Sequence, residues 1–389
     1  MMKVKRVLIV ASVASMIEQF NMPNIKILQN MGFEVHVAAN FKFGNTISAE
    51  RISEFKKELA ESNVVYYDLE FSRSVLNLWS NYRAYRKLKK LIFDNKYKLV
   101  HCHSPIGGVL TRLVVKKIRE RGTKVIYTAH GFHFFKGAPL INWLLYYPIE
   151  KWLSKYTDCL ITINDEDYEL AVNKLKARSV KKVPGVGVDL NKFVPQTLEK
   201  KKELRKQYGY SDDDFILIYV AELNHNKHQD LLVKVVDVLK NKIPNIKLLL
   251  VGAGKLIEDY KQQVRDLKLE EHIHFLGYRK DVPNLMAIAD VAVSASRREG
   301  LPVNVMEAMA TGLPLVVTDC RGNRDLVING ENGFVVGLDD VDAFAGAIER
   351  LYNSQELRTK FGRANLEMIK EYSLENVIKY MEEIYRDYI

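Results

Sequence analysis

Apolar residues recur along this chain with two periods. Short β-branched runs alternate with stretches in which apolar positions return every three or four residues. The runs at Arg6 to Ala11, Phe33 to Ala38, Val64 to Asp68, Leu99 to Cys102, Val125 to Thr128 and Cys159 to Ile163 read as strands. Between the first two, Ile17 to Asn30 reads as one helix, stopped at Met31-Gly32. The alternation pauses over Pro184 to Pro195 and the charged LEKKKELRKQ that follows, a linker and an entering helix. It then resumes with Phe215 to Val220, Ile246 to Val251, Ile273 to Leu276, Val291 to Ala295 and Leu315 to Thr318. Strand–helix alternation of this kind predicts parallel, doubly wound sheets. The 389 residues are long for one core. The fold class is therefore α/β, with two Rossmann-like domains at 1–192 and 193–371. An amphipathic helix within 372–389 (Leu374 to Tyr388) follows and is expected to cross toward the N-terminal domain.

Charge changes this picture in one half only. The net charge is +10, but residues 1–190 hold 30 lysines and arginines against 17 acids, and the remainder 28 against 31. Much of the excess lies in two helical patterns, Arg83 to Lys90 and Arg112 to Arg121. Two readings stand: solvated helix faces, or a domain that approaches an anionic partner such as a membrane surface or lipid diphosphate. Nucleic acid is not indicated, since no aromatic-basic RNA motif or zinc spacing appears. The aromatic-rich segment Phe132 to Trp152 is read as a buried helix or, alternatively, as a membrane-interface patch. No apolar stretch reaches the roughly 18–20 residues of a membrane span. The start MMKVKRVLIVASVASM has features of a signal peptide, but it leads into a β-α-β unit, which argues against cleavage. Cys102, Cys159 and Cys320 show no CxxC spacing and suit a reducing cytoplasm.

Candidate chemistry concentrates in Arg298 to Pro314 (REGLPVNVMEAMATGLP). Val291 to Ala295 ends in a polar loop, Pro302 suits the first helical position, and Gly312 with Pro314 stops the helix. Glu299 thus lies in the loop and Glu307 within the helix. Ligands of open parallel sheets bind beyond the carboxyl ends of the strands, where this helix N-terminus suits a phosphate. The segment closely resembles the E-x7-E signature of the fourth family of retaining glycosyltransferases. Further likeness runs through the GVDLNKFVP linker, the VGAG turn, the HFLG strand and Asn332-Gly333.

That resemblance implies the GT-B fold, its two domains facing each other across a cleft, and a nucleotide-sugar donor. It makes Glu307 the ligand of the ribose hydroxyls and Glu299 the neighbour of the donor sugar, with Gly300, Leu301, Pro302 and Val303 bringing backbone close. In Ala221 to Lys227, with Asn224 between, Lys227 matches the family lysine that neutralises the donor diphosphate. Glu222 stands where an arginine is usual, so Arg279 or Arg324 is expected to substitute. Gly252, in Val251 to Lys255, lets backbone approach the nucleotide; without a third glycine the turn is not a dinucleotide fingerprint.

In the first domain, His130 follows a strand and is similar to a family histidine placed against the donor sugar. His103 is a secondary candidate, with a strand-end role or a place in the core. His101, His103 and His130 lack a further ligand at metal spacing, so no metal is expected. Asp212-Asp213-Asp214 precedes its strand and reads as a solvated turn. Ser15, in a loop Ala11 to Gln19, stands where relatives have a glycine pair near the diphosphate and acceptor.

The expected function is a cytoplasmic retaining glycosyltransferase, peripheral at the inner face of the plasma membrane. It would move a hexose or N-acetylhexosamine from a UDP-sugar to a saccharide acceptor, lipid-linked, in bacterial capsule or exopolysaccharide synthesis, with no cofactor. A nucleotide-sugar epimerase and a non-catalytic nucleotide-sugar-binding protein at a membrane surface are the alternatives.

Overall fold

Seven short strands of the N-terminal half pair in parallel into one sheet. The computed structural model describes residues 5–72, 77–103, 105–116, 118–119 and 122–389. The chain forms two compact units, Met1–Val186 with Val377–Ile389, and Gly187–Asn376. In the first, strands β1 (Arg6–Val13), β2 (Glu34–Asn40), β3 (Val65–Asp68), β4 (Leu99–His103), β5 (Lys124–Ala129), β6 (Cys159–Thr162) and β7 (Ser179–Lys182) take the order β3-β2-β1-β4-β5-β6-β7. β1 is central: Ile9 faces Val37 of β2 on one side and His101 of β4 on the other. The order reverses between β1 and β4, so the loops beyond these two strands form the switch point where such sheets bind ligands. Cys102, Cys159 and Cys320 are buried and form no disulfide.

Three sequence expectations are corrected in this unit. The helix expected from Ile17 to Asn30 is two helices, Ala14–Phe20 and Met22–Asn30, broken at Asn21. Pro23 opens the second, where its missing N–H costs no hydrogen bond. The loop expected from Ala11 to Gln19 is the end of β1 followed directly by the first of these helices. The register of β1 on β2 shifts between Val10 and Val13, and the strand runs on to Val13. Arg112 belongs neither to a solvated face nor to an anion-binding one. It is fully buried in the helix Pro105–Val115 and forms a two-point ion pair with Glu150, its second contact at 2.9 Å. The Tyr127 ring lies 4.0 Å beneath the guanidinium. Lys117, Glu120 and Arg121 of that basic run lie outside the described residues.

The second unit repeats the plan with β8 (Phe215–Val220), β9 (Ile246–Val251), β10 (Ile273–Gly277), β11 (Val291–Ser294), β12 (Leu315–Thr318) and β13 (Gly333–Val336), in the order β10-β9-β8-β11-β12-β13. Every pairing is parallel, and its switch point lies between β8 and β11. Leu217, Leu248, Val293 and Val316 pack with Val236, Phe344 and Ile348 in one core. The chain passes between units twice. Within the second unit, the Val188 N–H donates to the Tyr372 carbonyl at 3.0 Å and the Leu374 N–H to the Val188 carbonyl at 2.9 Å. The last helix, Leu374–Tyr388, repeats apolar residues at Val377, Met381, Ile384 and Tyr385, and that face is buried.

Candidate active site

Parallel pairing puts the segments after β8, β9, β11 and β12 at one edge of the second sheet. Lys227, beyond β8, and Glu299, beyond β11, meet at the switch point with Nζ to Oε1 at 2.5 Å. Burial alone would lower the Lys227 ammonium, but the Glu299 carboxylate outweighs it and holds the group above its ordinary value. The cation is thus fixed and mostly shielded from water, where charge acts most strongly.

The surrounding backbone explains why the pair is held there. Asn224 Oδ1 accepts from the Lys227 N–H at 3.0 Å, so this side chain shapes the lysine loop. The buried Tyr219 hydroxyl donates to the Lys227 carbonyl at 3.1 Å and meets Ser296 Oγ at 2.7 Å. The Glu299 loop is gripped from both sides: Asn226 Nδ2 donates to the Arg298 carbonyl at 3.0 Å, and Arg321 Nε to the Glu299 carbonyl at 2.9 Å. Gly322 lies so close that a Cβ would stand 2.4 Å from the Gly300 oxygen. At Gly252, with φ +146°, a Cβ would stand 2.0 Å from the Ala221 oxygen, so the VGAG turn packs directly on the segment after β8.

The helix after β11 spans Val303–Ala310, which corrects the expected place of Pro302. Its ψ of 117° is extended, so Pro302 is the N-cap residue and Val303 begins the helix. Leu301 and Pro302 are buried and anchor the turn. Glu307, half-buried on this helix, has a carboxyl pushed up to about 7 by desolvation, with Lys192 opposing in part. None of the hydrogen bonds found among the described residues involves its carboxylate. The two arginines considered as substitutes for the missing family cation are committed elsewhere. Arg279 pairs with Asp281 at 2.5 Å, and Arg324 with Asp319 at 2.7 Å. Glu222 is exposed, its carbonyl accepting from Gln229 Nε2 at 3.0 Å. Asp212-Asp213-Asp214 precedes β8 and closes a turn through the Ser211 N–H to Asp214 Oδ2 bond of 2.8 Å.

In the first unit the switch point carries imidazoles. The His101 and His103 rings are tilted against each other with centroids 4.1 Å apart, and His103 Nδ1 meets His130 Nε2 at 3.2 Å. His101 is bonded to Tyr385 Oη and Thr128 Oγ1, each at 2.8 Å. Burial pushes His101 down to about 3 and His130 down to about 4, and holds His103 well below the usual histidine range. At neutral pH all three are uncharged, suited to hydrogen bonding with hydroxyls and not to neutralising phosphate. Ser15 is buried, with its N–H on Asn45 Oδ1 at 2.9 Å, while neighbouring Ser12 Oγ accepts from the Gly107 N–H at 3.1 Å. Among the described residues no group of three or more metal-ligating side chains is poised to hold an ion.

Sequence reasoning missed Arg321, Gly322 and Asn226, which hold the Glu299 loop. The available signal was positional: Arg-Gly follows the end of β12, so it must reach the same sheet edge as Glu299.

Residues 25–191 match the model described as Glycosyltransferase Family 4, and residues 200–368 that of Glycosyl transferases group 1. A Bacillus subtilis (strain 168) protein, provisionally described as glycosyltransferase EpsD, is 42% identical over 390 residues, covering 99% of this chain and 97% of its own. The Escherichia coli UDP-Gal:alpha-D-GlcNAc-diphosphoundecaprenol alpha-1,3-galactosyltransferase is 30% identical over 81% of both chains. The crystal structure of Anabaena HepE in complex with UDP superposes with a TM-score of 0.78 at 18% identity, covering 98% of this chain and all of that one. With two Rossmann-like units, each matched by a glycosyltransferase family model, this chain belongs to the family-four, group 1 glycosyltransferases and has their GT-B fold.

Proposed function

We propose that the protein transfers a hexose or N-acetylhexosamine from a UDP-sugar to a lipid-linked saccharide during exopolysaccharide or capsule assembly, with retention of anomeric configuration. The Lys227–Glu299 pair at the switch point carries this reading: a shielded cation stands where a leaving diphosphate needs charge, ahead of a helix N-terminus. Glu307 is assigned to the ribose hydroxyls, which would supply the hydrogen-bond donors its carboxylate lacks. Glu299 and the neutral His130 are assigned to sugar hydroxyls, and His103 supports His130 through their shared bond. The UDP complex of HepE and the UDP-galactose donor and diphosphoundecaprenol acceptor in the E. coli relative's name support the substrate classes. In the proposed step the C1–O bond to the diphosphate breaks as the acceptor oxygen bonds to C1 from the same face. The acceptor proton passes to the departing diphosphate.

The test is nucleotide release from UDP-, GDP- and ADP-sugars, each with and without undecaprenyl-diphosphate-linked saccharides, with mass and anomeric NMR analysis of the lipid product. Acceptor-dependent UDP release, one added sugar mass and a retained α-anomer are expected. An inverted anomer overturns retention. Conversion of the donor without acceptor identifies an epimerase, and binding without product a non-catalytic protein.

A further inference from the structure

We infer that the outer face of the helix Leu140–Ser154 is a docking surface for an anionic lipid bilayer. The helix is apolar around its whole circumference, a composition suited to a fully enclosed helix. One half is enclosed: Trp143 and Tyr147 pack on Phe134, and Glu150 and Leu153 are buried. The other half faces outward and carries Leu140, Ile141, Leu144, Leu145, Ile149 and Trp152, with Leu140 81% and Leu144 71% exposed. At 100° per residue these six positions fall within one 180° arc. Such a continuous apolar strip on a surface helix marks a contact site.

Two observations choose the occupant. First, the strip is edged by cations without a matching exposed acid on the helix. Its single acid, Glu150, is consumed by buried Arg112, which also ties the helix down from beneath. Lys116 reaches over the rings of Trp152 and Tyr156 at 5.4 and 5.0 Å, and Lys151 lies 5.3 Å from that of Tyr147. A second copy seated on this face about a twofold axis would bring those cations against themselves, whereas anionic headgroups satisfy them. Second, the helical layer repeats the pattern. The helix Leu78–Asn95 packs on the helix Pro105–Val115, which packs on Leu140–Ser154. Its first turns expose Leu78, Trp79 and Tyr82, followed by exposed Arg86 and Lys89. Aromatic and aliphatic side chains beside lysine and arginine are the composition of a helix lying in a membrane interface. No described helix is long and apolar enough to cross a membrane, so this contact is peripheral.

The inference does not rest on sugar transfer, because binding is measured with no donor present. Full-length protein is sedimented with phosphatidylcholine vesicles, with and without phosphatidylglycerol. Wild type is expected to partition onto the anionic vesicles, and Leu144→Glu to lose about tenfold or more of that partition with an unchanged thermal midpoint. Lys116→Glu with Lys151→Glu is expected to weaken the anionic preference. Wild type that binds neither vesicle overturns the proposal, as does Leu144→Glu that binds like wild type. Self-association that Leu144→Glu abolishes, without any vesicle binding, reassigns the face to contact between copies.

Discussion

A carboxyl pushed up to about 7 at the proposed ribose contact makes Glu307 a reporter of occupancy. Its folded-state value lies above the ordinary carboxylate value, so the folded protein holds the extra proton between about pH 4.5 and 7. Stability therefore falls as pH rises through that window, and the cost is complete above it. Glu307→Gln should stabilise the protein by roughly 1–2 kcal/mol at pH 8 and by little near pH 5, read from urea unfolding at both values. A ribose hydroxyl donates best to the ionised carboxylate, so wild-type affinity for UDP should strengthen from pH 6 to 8 by more than the variant's, whose remaining change reports the ionisation of the UDP phosphate. Titration calorimetry across that range decides it. Lys227 acts differently, since its charge is held above the ordinary value and does not titrate near neutrality. Lys227→Ala should lower acceptor-dependent UDP release by about a hundredfold or more, most of it in kcat. A change confined to KM would remove Lys227 from leaving-group stabilisation.

Secondary elements explain both what could be read from the sequence and what could not. Strands buried on both faces, such as Leu99–His103 and Ile246–Val251, announce themselves as apolar runs. The edge strand Ser179–Lys182 does not, because two of its four residues are exposed lysines. Gly333–Val336 does not stand out either, because its glycine belongs to an Asn-Gly turn and only three apolar residues follow. Arg112 reads as surface charge, and only the partner 38 residues onward makes its burial tolerable. Glu299 and Glu307 were singled out by the E-x7-E spacing and the strand–loop–helix pattern, and Lys227 by the likeness of Ala221 to Lys227 to its family counterpart. The contacts that fix the Glu299 loop were not, being bonds from side chains to backbone carbonyls between segments distant in sequence. Gly322 belongs to that hidden set. Gly322→Ala should push the start of the helix Arg321–Leu326 away from the Gly300 carbonyl, costing about 1–3 kcal/mol and loosening the Glu299 loop. Preserved stability with full transfer activity, measured by thermal unfolding and UDP release, would show that the loop relaxes without harm.

Across the whole molecule, charge and chemistry are divided between the units. The basic excess belongs to the half that carries the apolar helix face and the neutral histidines, while the balanced half holds the lysine–glutamate pair. The division extends to connectivity, because the final helix returns residues from Val377 onward to the first unit. The second unit is therefore an insertion within the first. Its two ends are stitched together, Val188 bonding to both Tyr372 and Leu374, with Gly187 backed so closely on Leu374 that a Cβ would stand 2.7 Å from its Cα. A module whose ends already adjoin can be cut out without pulling its sheet apart. A fragment spanning 187–376 should unfold cooperatively and bind UDP with the full chain's dependence on Glu307; failure to fold would show that the first unit stabilises it. The seam at Val188 and Leu374 thus gives the fold a cassette boundary, at which the second unit can be exchanged between relatives while the first stays in place.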